Sequence, residues 1–121
     1  MYFEIDNYNA LREALHTLCS GLVQRDVPPE TVYDSKLVAD ELLSNALRHG
    51  GGKAFFSVAV EDDVISLSVR SLHAFRPPDE SILVSLESES GRGLYLVDRI
   101  VETRGYSEEA GTSVIIRIKK E

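Results

Sequence analysis

The 121-residue sequence contains no tryptophan, one cysteine, one methionine and four prolines, and it carries a net charge of -7. A single cysteine, Cys19, cannot form an internal disulfide and reads as a small buried apolar side chain. His16 and His73 lack the spacing of zinc ligands, so no structural metal is expected. The largest basic cluster is Lys119-Lys120, too little to attract a phosphate backbone against the overall negative charge, and direct nucleic-acid binding is not expected. No apolar run approaches the ~20 residues of a membrane span. Met1 to Asp6 lacks the basic-then-apolar order of a secretory leader. These absences point to a cytoplasmic protein with no membrane partner.

What is present is globular: 43% hydrophobic and 27% charged residues, in a length suited to one core. Residues 1–121 are therefore expected to form a single domain. Tyr2 to Ile5 suits a short edge strand, and Asp6 or Asn7 offers a capping oxygen to the helix that follows. Leu11, Leu15, Leu18 and Leu22 recur at helical spacing, which predicts a helix from about Tyr8 to Gln24. Pro28-Pro29 then opens a second helix, reaching about His49.

Gly50-Gly51-Gly52 ends the second helix, and alternating apolar residues predict strands at Ala54 to Val60 and Val64 to Val69 around a tight turn at Glu61-Asp62-Asp63. Ser71 to Ser90, interrupted by Pro77-Pro78, reads as a loop. A third helix is expected over Leu94 to about Val101, opened by Ser90-Gly91-Arg92-Gly93. Strands are expected at Arg104 to Tyr106 and Thr112 to Ile118, the latter interior. This order predicts an α+β, two-layer sandwich: a mixed, mostly antiparallel sheet with three helices on one face.

Two stretches carry chemistry. In the second helix Glu41, Asn45 and, less well aligned, His49 fall on one line, while Val32, Ala39, Leu42, Leu43, Ala46 and Leu47 gather on the far side. A carboxylate and an amide so placed suit a base and a metal ligand beside a bound molecule; the same spacing also suits an ordinary solvated face. At the start of the third helix, Gly91-Arg92-Gly93 lets an anion approach outward-pointing N–H groups. Alternatively, Ser90 merely caps the helix.

Glu41-x-x-x-Asn45-Ala46-x-x-His49-Gly50 resembles the N box of the ATPase superfamily containing gyrase, heat-shock chaperones and histidine kinases (GHKL), above all its small anti-sigma-factor serine kinase branch. Ser90-Gly91-Arg92-Gly93-Leu94-Tyr95-Leu96-Val97 resembles the family's Gly-x-Gly-Leu segment, and Gly111-Thr112-Ser113-Val114 its closing strand. The resemblance spans about Ile5 to Ile118 and implies the histidine kinase-like ATPase fold. It implies Glu41 as general base, Asn45 as the magnesium ligand, and Gly91, Arg92, Gly93 and Leu94 at the phosphates of ATP. His49, Ser71, Phe75 and Thr112 would complete the nucleotide site. The implied partners are proteins, a sigma factor and a small antagonist, and a homodimer is compatible with the branch.

One motif departs. Where the family reads Asp-x-Gly-x-Gly-Phe and a proline, this chain reads Val69-Arg70-Ser71-Leu72-His73-Ala74-Phe75-Arg76-Pro77, which puts Arg70 or Ser71 at the Asp position. Arginine has no acceptor for an adenine amino group, and serine accepts only a neutral, shorter-reach bond. Asp79, Glu80, Glu87 and Glu89 add negative charge nearby. Three functions follow: an ATP-dependent serine kinase regulator, a nucleotide-independent binding module of the same fold, and, ranked below both, a stand-alone ATP hydrolase.

Overall fold

The computed structural model describes residues 1–78 and 89–118, without the side chains of residues 89–92. Half of the expected 71–90 loop, residues 79–88 with Asp79, Glu80 and Glu87, and the Lys119-Lys120 pair lie outside the described residues. The elements run β1 (Tyr2–Ile5), α1 (Tyr8–Gln24), α2 (Pro29–His49), β2 (Ala54–Glu61), β3 (Val64–Ser71), α3 (Glu89–Ile100), β4 (Thr103–Ser107) and β5 (Gly111–Arg117). The expected order is present. Local chemistry explains most boundaries: Asn7 caps α1 by accepting from the Ala10 N–H at 2.7 Å, and α2 begins where Pro29 needs no donor partner. Asp62 turns the β2–β3 hairpin at a φ of 46°, left-handed backbone that aspartate tolerates.

The strands form one sheet in the order β1-β2-β3-β5-β4. Every described pairing is antiparallel, in the α+β, mostly antiparallel arrangement expected from the sequence. β5 is interior, paired on both sides. The period-two rule decides the faces: Ala54, Phe56 and Val58 of β2, Ile65, Leu67 and Val69 of β3, and Val114 and Ile116 of β5 are all buried. They meet Leu15, Leu18 and Leu22 of α1 and Val38, Leu42 and Leu43 of α2 in one apolar cluster. Truncating one of these side chains to alanine costs ~2–5 kcal/mol. The opposite face carries small residues, Ser57, Ala59, Ser66, Ser68 and Ser113.

The third helix differs from expectation. It begins at Glu89, so Gly91 and Gly93 lie inside it rather than in the turn before it. Glycine is a poor helix former, which is why the sequence pattern placed the boundary after Gly93. Packing overrides that preference. Leu94 and Val97 are buried, and helix α3 lies against α2.

Candidate nucleotide site between α2 and α3

The C-terminal half of α2 runs between the sheet and α3 and brings three polar side chains into one chain of hydrogen bonds. The Asn45 Nδ2 donates to the Glu41 Oε1 at 3.2 Å, and the Arg48 Nη2 donates to the Asn45 Oδ1 at 2.6 Å. Only this amide orientation satisfies both neighbours. Asn45 is 6% exposed. The polar line read from the spacing therefore does not face open solvent; it turns into the molecule. Arg48, exposed near the end of α2, joins the site through its bond to Asn45, three residues earlier on the same helix.

Glu41 meets α3 at Gly93. A Cβ on Gly93 would overlap the carboxylate oxygens and carbon of Glu41, so the missing side chain is what lets the two helices approach here. Half-burial raises the carboxyl above its ordinary pKa; the Asn45 hydrogen bond and the Arg48 charge oppose the shift, and Asp40 adds to it. Glu41 and Gly93, 52 positions apart, are thus in contact. The backbone of Gly91 and Arg92 lies in the first turn of α3, where N–H groups have no intrahelical acceptor. The Arg92 side chain is outside the described residues. Leu94 is buried.

Behind Asn45 lies a slot lined by Leu42, Asn45, Ala46, Val69, Ser71, Phe75, Pro77 and Thr112, with a cavity of about 10 Å³. Ser71 and Thr112 reach it, as the sequence proposed, whereas Arg70 stacks over Phe55 at 4.1 Å; of the two positions left open, Ser71 faces the slot. The Ser71 hydroxyl donates to its neighbour's carbonyl, His73 O, at 2.5 Å. His49 does not join Glu41 and Asn45; its ring stacks on Phe75 with centroids 4.9 Å apart. The glycine run does more than end α2. The Gly50 carbonyl accepts from the His73 N–H at 2.8 Å, and a Cβ on Gly50 would come within 2.6 Å of the Ser71 Oγ. The lining residues Leu42, Ala46, Val69 and Pro77 were not singled out from the sequence, since each reads locally as core or loop.

The two ends of the cleft differ in how well they suit ATP and magnesium. The first-turn N–H groups of α3 and the Arg48 guanidinium suit a phosphate chain. Asn45 Oδ1 is the atom suited to a hard cation, and ligation requires Arg48, on the exposed end of α2, to release it. Among the described residues no group of three His, Cys, Asp or Glu side chains is placed to hold a metal by itself. At the other end, a base enters the slot only when Phe75 yields.

An antiparallel sheet under three helices, with α3 packed on α2, is an α+β two-layer sandwich. The model of the histidine kinase-like ATPase domain family matches residues 6–118, and the chain belongs to that family. It is also similar to an anti-sigma F factor of Bacillus velezensis, 30% identical over 81% of this chain and 76% of the relative. Both agree with the GHKL resemblance of the motifs. No helix among the described residues is long and apolar enough to cross a membrane.

Proposed function

We propose that this chain is a regulator of the anti-sigma type that takes ATP and magnesium between α2 and α3 and transfers a phosphoryl group to a serine hydroxyl of a small antagonist protein, while binding a sigma factor as its second partner. One observation carries the reading: Glu41, its pKa raised by burial, is held against Gly93 and oriented by Asn45 at the anion-binding end of the cleft. In this role Glu41 accepts the proton of the attacking hydroxyl on its carboxylate, Asn45 fixes that carboxylate and offers its amide oxygen to magnesium, and Arg48 with the first turn of α3 neutralises phosphate charge. ATP supplies the phosphoryl group. The family membership and the similarity to an anti-sigma F factor support the partner class.

A second reading, a nucleotide-independent binding module, is favoured by the slot of about 10 Å³ beneath the Phe75–His49 stack. Calorimetric titration with ATP and magnesium separates the two. Saturable heat is expected, and none at millimolar nucleotide would leave only the binding module.

A further inference from the structure

We infer that the base end of this cleft does not distinguish adenine from guanine, so that ATP and GTP are bound with comparable affinity. The inference rests on the nucleotide-binding reading above. The walls of the slot, Leu42, Ala46, Val69 and Pro77, are apolar and read no polar edge of a ring that enters when Phe75 yields. Among the described residues its polar lining is Asn45, Ser71 and Thr112, none of them charged. Asn45 is committed to the phosphate end, its nitrogen donating to Glu41 and its oxygen directed at Arg48 or the magnesium that replaces it. Two hydroxyls remain.

Adenine presents an exocyclic amino donor where guanine presents a carbonyl acceptor. A carboxylate only accepts, so it would reward the first and repel the second. A hydroxyl rotates to do either. Ser71 is such a rotor: its proton now rests on the His73 carbonyl, leaving lone pairs for an amino group, and turning it away from His73 supplies a donor to a carbonyl. Strong discrimination requires that the wrong ligand leave a buried polar group unpaired, and neither purine does so here.

The test measures dissociation constants for ATP, GTP and inorganic tripolyphosphate, each with magnesium, on the full chain and on Ser71→Asp. In the unaltered chain ATP and GTP are expected within about threefold of each other, and Ser71→Asp is expected to favour ATP by about tenfold or more. A preference of more than tenfold for either base in the unaltered chain overturns the inference and leaves the nucleotide reading standing. Binding of tripolyphosphate alone overturns both, because the regulator must take ATP. Binding of none of the three overturns both.

Discussion

Glu41 on α2 and Gly93 on α3 touch at a point where any side chain on Gly93 would occupy the space of the carboxylate. Helix α3 therefore does two things at once: it buries Leu94 and Val97 against the core and seals one side of the only glutamate whose pKa is raised among the described residues. A larger residue at 93 has to displace the carboxylate. The glycine is explained by the neighbouring carboxylate, not by helix propensity.

Gly93→Ala separates the two roles. Replacing a mid-helix glycine by alanine gains ~0.5–1 kcal/mol in propensity, which offsets part of the crowding, so the melting temperature is expected to stay within ~3 °C. Displacing the Glu41 carboxylate by about an ångström is expected to lower phosphoryl transfer roughly 100-fold. Gly105→Ala, where a Cβ meets nothing within 4 Å, is the control and leaves transfer unchanged. The paired assay is thermal melting with radiolabel transfer to the antagonist.

Glu41→Gln tests the raised pKa through stability. Because burial raises the folded-state value, the native protein holds this proton more tightly than the unfolded chain from the ordinary 4.5 upward. Stability from this group is thus full below 4.5 and is lost as pH rises through the raised folded value. Glutamine removes that loss and still accepts from Asn45. At pH 7 the variant is expected to melt ~3 °C higher, less than about 1 kcal/mol after solvent screening, with no difference below the ordinary carboxylate range. Phosphoryl transfer is expected to fall roughly 10²- to 10⁴-fold. A pH series of melting curves reads the first effect, and the transfer assay the second.

Arg104→Ala tests how the far end of α3 is tied to the sheet. The guanidinium is 8% exposed and grips Asp98 with two bonds, 2.5 Å from Nε and 2.9 Å from Nη2, while Nη2 also donates to the Pro78 carbonyl at 2.8 Å. Asp98 is 27% exposed, so water recovers part of the loss. A destabilisation of ~2 kcal/mol is expected in urea midpoints, with Arg104→Lys recovering only part because an ammonium cannot make the paired bonds.

The two long helices were legible because their apolar residues repeat at helical spacing over many turns: Leu11, Leu15, Leu18 and Leu22 fix α1, and the Pro29 start and the glycine run fix α2. Strand alternation located β2, β3 and β5 within two residues at each end. What was not legible depends on contacts between distant segments. Nothing near Asn45 announces that its helix face is covered, since the cover comes from β3, β5 and the 71–77 segment. The His49–Phe75 stack joins two separate elements, and the Gly93 boundary was misplaced because propensity is local whereas the packing that overrides it is not.

Phe75→Ala distinguishes the nucleotide reading from the binding-module reading at the slot itself. Phe75 lines a cavity of about 10 Å³ and stacks on His49, so a base that enters must first displace the ring. Aromatic pairs contribute ~0.5–1.5 kcal/mol beyond burial, and removing that cost from the bound state corresponds to a gain of roughly two- to tenfold in affinity. If the slot receives a base, Phe75→Ala is expected to tighten ATP binding by about fivefold and leave tripolyphosphate binding unchanged, because the anion end, Arg48 with the first turn of α3, is untouched. If the chain is a nucleotide-independent module, Phe75→Ala changes neither. Parallel titrations with the two ligands give the answer, since a general loosening of the fold would weaken both together.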